Sequence, residues 1–133
     1  MIIKEYSEYN EAEILGLYSD VGWCAYTDHP EKLQQGFSNS LIILAAYDND
    51  TLIGLIRAVG DGHTVVYIQD LLVHPAYQRR GVGACLTKSL LARFADIHQI
   101  FLTSDNIESS RAFYSSLGFR EVTELGCCTF MKV

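Results

Sequence analysis

Gln78-Arg79-Arg80-Gly81-Val82-Gly83 lies between the apolar run Leu71-Leu72-Val73 and a stretch of helical periodicity, with Pro75 in the connection. That order suits the binding of an anion. Glycines at 81 and 83 remove Cβ atoms that would hold a ligand off the backbone, and the amides of a helix start have no intrahelical partner. Those amides face an incoming anion with the positive end of the helix dipole behind them. Arg79 and Arg80 add positive charge in a chain of net charge −6, so the local sign opposes the global one. Two common nucleotide-binding turns do not fit. A dinucleotide fingerprint needs a third glycine at position 86, which is Leu86, and an acidic ribose anchor after a βαβ unit that opens the chain. A P-loop counted from Gly83 needs glycine at 88 before Lys-Ser, but that position is itself Lys88, followed by Ser89.

The remaining pattern, Gln/Arg-x-x-Gly-x-Gly/Ala directly after a strand, resembles the coenzyme A pyrophosphate loop of the GNAT acetyltransferases. Asn106, Ala112-Phe113-Tyr114 and Leu117-Gly118-Phe119 are similar to that family's downstream signature, so the likeness covers most of residues 41 to 123. Val21-Gly22-Trp23 and Tyr26-Thr27 are similar to small bacterial and chloroplast-type members, some of which acetylate aralkylamines or lysine side chains. The resemblance implies an α+β fold of the GNAT type, with a mixed, mostly antiparallel central sheet of about seven strands, a parallel central pair and flanking helices. It also implies acetyl-CoA as cosubstrate and N-acetyl transfer to a primary amine, a small amine or a lysine-like group, by direct attack in a ternary complex. A non-catalytic acyl-CoA sensor and an O-acyl or longer-acyl transferase are the alternatives.

Carried over residue by residue, the resemblance assigns cofactor binding to Leu71, Leu72, Val73, Gln78, Arg79, Arg80, Gly81, Val82, Gly83, Ala84, Asn106, Ser109, Phe113 and Tyr114. In the family the strand at 71 to 73 splays from its neighbour, and the Leu71 or Leu72 amide donates to the thioester oxygen; an ordinary core strand fits Leu-Leu-Val equally well. Tyr114 corresponds to a tyrosine that protonates the departing thiolate, although an aromatic at this helical spacing also suits a core position. Asn106 fits either the cofactor or a helix cap with Ser109 three residues on, and Ser109 or Ser110 fits the pantetheine or phosphates. Trp23, Tyr26 and Thr27, with Tyr18 and Phe37 nearby, match one wall of the acceptor pocket. An aromatic wall suits an apolar or cationic amine, and a simple hydrophobic lid is the competing reading. Pairing into a homodimer through sheet edges or C-terminal strands follows from resemblance alone.

Asp70 is the candidate general base, as the one carboxylate of the central strand. Strict alternation puts it with Ile68 and Leu72, opposite Tyr67, Gln69 and Leu71, unless a bulge reverses the phase. Its other possible role is to anchor the neighbouring loop or the first helices.

The elements that must position these groups follow from periodicity. Ile2 to Tyr6 suits a short strand, and Asn10 with Glu13 three residues on caps a helix that ends near Gly22. Val21 to Thr27 is expected to be irregular, with a short helix from Pro30 to about Phe37. Leu41 to Tyr47, Thr51 to Val59 and Thr64 to Val73 alternate with turn residues and predict a three-stranded meander. A helix with Val82, Cys85, Leu86, Leu90, Phe94 and Ile97 on its apolar face leads to a strand at Ile100 to Thr103, parallel to the previous one by a crossover. Ile107 to Leu117 is expected to be helical, stopped at Gly118, and Phe119 to Val122 with Cys127 to Met131 to form a closing hairpin.

A chain of 133 residues, 49% hydrophobic and 20% charged, fits a single domain over residues 1 to 133. A pI near 5.0 argues against nucleic acid or a membrane surface as partner, and no apolar run or signal-like N-terminus is present, so the expected location is cytoplasmic. His29, His63, His74 and His98 are scattered without metal-ligand spacing, so no metal is assigned. The cysteines at 24, 85, 127 and 128 lack redox spacing and are expected to be buried, reduced thiols.

Overall fold

A computed structural model describes residues 1–133, which divide into two compact units, Met1–Thr103 and Ser104–Val133. The first unit holds a five-stranded sheet in the order β1 (Ile2–Glu5), β2 (Ile42–Asp48), β3 (Thr51–Gly60), β4 (Val65–Val73) and β5 (Gln99–Leu102). Neighbouring strands are antiparallel except β4 and β5, which run parallel. The meander and the parallel pairing follow the sequence expectation, with the parallel pair at one edge of the sheet rather than at its centre. The sheet has five strands rather than about seven, because the expected closing hairpin is absent. Val122–Leu125 forms a 3-10 turn instead, and Phe130 and Met131 are 90% and 76% exposed and lie outside any strand.

Helices α1 (Glu11–Asp20), α2 (Cys24–Thr27) and α3 (Pro30–Ser38) separate β1 from β2. Asn10 caps α1 as its sequence predicts, its side-chain oxygen accepting from the Glu13 amide at 3.1 Å. The segment expected to be irregular contains one helical turn, α2. Ile14, Leu17 and Tyr18 of α1 and Leu33 and Phe37 of α3 pack with Ile43, Ala45, Leu52, Leu55 and Leu72 of the sheet. Burying such side chains contributes roughly 1.5–3 kcal/mol each, enough to hold short helices that would not persist alone.

Helix α4 (Val82–Arg93) connects β4 to β5. Its buried residues are Val82, Leu86, Thr87 and Leu90. Thr87 is buried with its hydroxyl satisfied, donating to the Gly83 carbonyl at 2.8 Å. The helix stops at Arg93, leaving Phe94 and Ile97 beyond it. Cys85 is exposed, as are Cys24, Cys127 and Cys128, which corrects the expectation of buried thiols. The second unit contains α5 (Glu108–Ser116), followed by Gly118 at φ 93°. No helix is long and apolar enough to cross a membrane.

Candidate active site

The glycine turn is built on the end of β4. After Val73, the His74 amide donates to the Ile53 carbonyl at 2.8 Å, and the His74 Nδ1 accepts from the Ala76 amide at 3.1 Å, which fixes the Pro75–Tyr77 turn. Gln78 folds back, its side-chain nitrogen donating to the Val73 carbonyl at 3.0 Å. Tyr77 donates to Asp48 at 2.8 Å, and the Arg80 guanidinium lies 5.4 Å from the centre of the Tyr77 ring. Gln78 and Tyr77 thus shape the turn, and the Arg79 and Arg80 side chains remain exposed.

Two residues of the turn are left-handed. Arg79 has φ 63° and Gly81 has φ 82°, the latter as N-cap of α4. A Cβ on Gly81 would meet nothing within 4 Å, so its glycine answers to backbone conformation and to open space beside the turn. The first backbone bond of the helix is from the Cys85 amide to the Gly81 carbonyl, at 3.0 Å. The amides of Val82, Gly83 and Ala84 therefore have no backbone acceptor, and an anion is the partner such a helix start takes up. The helix reaches this place because Gly54 of β3 lies beneath it: a Cβ there would stand 3.0 Å from a Val82 methyl and 3.2 Å from the Leu72 carbonyl oxygen.

Next to the turn the sheet forks. Parallel pairing joins Val65 to Ile68 of β4 with Gln99 to Leu102 of β5 and goes no further, while β4 continues to Val73. The edge of residues 69 to 73 on that side has no strand partner, so its polar groups, apart from the Val73 carbonyl that Gln78 takes up, are free to bind an extended ligand. Tyr67 and Thr103 join their hydroxyls beside this fork.

Asp70 lies at a bulge. Arg57 pairs with Asp70 and Ala58 with Ile68, leaving Gln69 as the extra residue of β4. The bulge reverses the phase, so Asp70 and Leu72 share the face of α1 to α3 while Ile68 faces the other way, which corrects strict alternation. Asp70 is 2% exposed, and its carboxylate accepts from Arg57 Nε at 2.7 Å, the Tyr18 hydroxyl at 2.8 Å and the Tyr26 hydroxyl at 2.9 Å. Gln69 donates to the Tyr26 oxygen at 3.1 Å. Burial works against the Arg57 charge, but the attraction and hydrogen bond of Asp70 outweigh it and hold the guanidinium pKa above its usual value. Burial, followed by the Asp70 charge, pushes the Tyr18 and Tyr26 phenols upward.

Of the expected acceptor wall, Trp23 and Tyr26 pack on the core of the first unit, with Tyr18 at 6.0 and 5.3 Å between ring centres. Thr27 hydrogen-bonds the Cys24 carbonyl at 3.4 Å. The network turns on Arg57, Tyr18 and Gln69, none of which was singled out for it in the sequence. A signal was there: Arg57 is the one charged residue of the apolar run Leu52 to Val59, where a charge must find a buried partner.

In the second unit Tyr114 stacks edge-on with Phe113 and Phe119, at 5.0 and 5.9 Å between centres. Its hydroxyl makes no hydrogen bond to the protein. Burial, with the charge of Asp105 adding to it, raises the phenol above the ordinary tyrosine value. Asn106 does not cap α5, whose N-cap is Ile107; its side-chain oxygen accepts from Arg111 instead. Ser109, Ser110 and Phe113 lie on α5.

The profile of the acetyltransferase (GNAT) domain matches residues 8–128. The chain belongs to the GNAT acetyltransferase family. The GNAT chain is 38% identical to a GNAT-family acetyltransferase of Streptococcus pneumoniae TIGR4, covering 99% of this chain and 96% of that one with a TM-score of 0.90. It has the fold of an aminoglycoside 6'-N-acetyltransferase complexed with coenzyme A, at 20% identity, 89% and 74% coverage and a TM-score of 0.67. It is 32% identical over 84 residues to the mycothiol acetyltransferase of Mycobacterium sp. (strain JLS), covering 62% of this chain. The GNAT chain spans only 28% of the length of that relative.

Proposed function

We propose that this chain transfers an acetyl group from acetyl-CoA to a primary amine by direct attack in a ternary complex. The observation that carries the reading is the adjacency of two unpaired backbone surfaces: the edge of β4 at residues 69 to 73 and the amides of Val82, Gly83 and Ala84 at the start of α4. One suits the pantetheine arm as an added strand and the other the pyrophosphate, with Arg79 and Arg80 beside it. The remaining chemistry divides among few groups. The Leu71 or Leu72 amide donates to the thioester oxygen, and the amine nitrogen forms its bond to the carbonyl carbon as the carbon–sulfur bond breaks. The thiolate takes a proton from the Tyr114 hydroxyl, which is protonated at neutral pH and which regains its proton from solvent before the next turnover. The match of one family profile across both units, residues 8–128, supports giving Tyr114 a part in this reaction.

Asp70 is a positioning residue in this reading. Its oxygens are taken up by Arg57, Tyr18 and Tyr26, so it ties the first helices to the bulge in β4 while the amine's proton leaves to solvent. Initial-rate measurements with both substrates varied test the mechanism: intersecting reciprocal plots are expected for a ternary complex, and parallel plots would replace it with an acetyl-enzyme.

A further inference from the structure

Between α2, α3 and β3 lies a cavity of about 190 Å³, walled by Tyr26, His29, Lys32, Leu33, Gly36 and Arg57. Arg57 is 5% exposed, and its donors are only partly used. Nε serves Asp70 at 2.7 Å and Nη1 the Ser40 hydroxyl at 3.2 Å, whereas Nη2 has no protein acceptor. The guanidinium is held in place by the Phe37 ring, 5.5 Å from its centre, and by the room that Gly36 leaves: a Cβ there would meet Nη1 at 3.2 Å. Asp70 balances the charge of Arg57, no carboxylate lines the cavity, and Lys32 adds an exposed ammonium, so the cavity is cationic inside a chain of net charge −6.

We propose that this cavity holds the carboxylate of the acceptor, so that the amine acetylated by this chain carries a carboxylate remote from its reacting nitrogen. The proposal rests on the acetyltransferase reading. A guanidinium with unused donors suits a carboxylate, and the Lys32 ammonium at the same cavity disfavours a polyamine. Tyr26 joins the cavity to the fork, since it lines the one and hydrogen-bonds Asp70, the neighbour of Leu71, at the other. Arg57 and Leu71 lie on adjacent strands, and the cleft is on the far side of β4, so carboxylate and nitrogen are separated by about two strand spacings, ~10 Å. An ω-amino acid spans that distance; a simple α-amino acid does not.

The test uses the full chain and two probes, 8-acetamidooctanoate and its primary amide, with binding followed by backbone NMR shifts. The acid is expected to bind at least ~10-fold more tightly than the amide, since only it can satisfy a charged donor, with shifts at Lys32, Gly36 and Tyr26. Lys32→Gln, an exposed substitution, weakens the acid about fivefold and leaves the amide unchanged. Gly36→Val, checked for folding by its thermal melt, abolishes the preference. Equal binding of acid and amide, no binding of the acid at ~10 mM, or shifts confined to other residues would overturn the proposal. Binding is read without turnover, so a chain that binds the acid but releases no CoA with any amine refutes the transferase reading instead. Acetylation of neutral amines without carboxylate selectivity refutes this inference alone.

Discussion

Arg57 and Asp70 face each other across β3 and β4 at the point where Gln69 bulges, and their buried 2.7 Å ion pair is flanked by Tyr18 and Tyr26, which donate to Asp70, and by the Phe37 ring beside the guanidinium. The pair sets the phase of β4 beyond the bulge and ties α1 and α2 to the strand that carries Leu71.

Removing one partner leaves an uncompensated buried charge, so Arg57→Met is expected to destabilise the protein by about 3–5 kcal/mol, and Asp70→Leu similarly. The double substitution recovers part of that loss. Urea denaturation of the four proteins checks it; single losses that simply add in the double variant contradict the pairing.

Asp70→Asn separates positioning from base catalysis. With Asp70 as an anchor, the pH profile of kcat/KM keeps its shape and drops uniformly, and Tm falls. Loss of the acidic limb would make Asp70 the base.

Tyr114→Phe is expected to lower kcat about 10²–10⁴-fold, with little change in KM for acetyl-CoA. The sign of the pH effect follows from the phenol being the required form. Because burial raises its pKa, wild-type kcat stays high through neutral pH and falls only above the ordinary tyrosine range. That alkaline fall is absent from the phenylalanine variant. An unchanged kcat across the pH range contradicts the assignment.

How much of this could be seen beforehand depends on whether a signal was local. The glycine turn, the Asn10 cap, the meander and the crossover were legible because each depends on residue types at fixed spacing over one or two turns. Alternation groups Asp70 with both Ile68 and Leu72 unless a bulge intervenes, and the bulge at Gln69 that separates Ile68 from the other two leaves no periodic mark: all three are buried, but on two different faces. Arg57 opposite Asp70 was the missing clue, and it required the register of two strands. The closing hairpin failed for a related reason, since Phe119 to Val122 and Cys127 to Met131 carry strand-like residues, but strand formation depends on long-range pairing that residue types alone do not specify. Cys85 was assigned to the buried face on spacing alone, whereas the buried set runs through Val82, Leu86, Thr87 and Leu90.

Gly81→Ala places a side chain at φ 82°, a cost of roughly 1–2 kcal/mol, in a position where the Cβ meets no protein atom. A modest fall in Tm with about a tenfold rise in KM for acetyl-CoA is expected, against an unaltered kcat. A variant that loses stability but binds acetyl-CoA normally would mean that the turn is only a turn.

Gly54→Val drives a branched side chain against Val82 and the Leu72 carbonyl, beneath the start of α4. Overpacking of this kind costs about 1–3 kcal/mol and displaces the helix start, so acetyl-CoA affinity falls although residue 54 lies under the turn and outside it. Calorimetric titration with acetyl-CoA reads this directly, and unchanged affinity in the folded variant contradicts the packing argument.

The central claim is tested most directly by incubating the purified chain with acetyl-CoA and a panel of primary amines, measuring free thiol and acetylated amine together. The account predicts thiol released in equal amount to acetylated product with at least one amine, and release lost in Tyr114→Phe. Tight acetyl-CoA binding with no acetylated amine across the panel would contradict it and leave an acyl-CoA-binding domain without transferase activity.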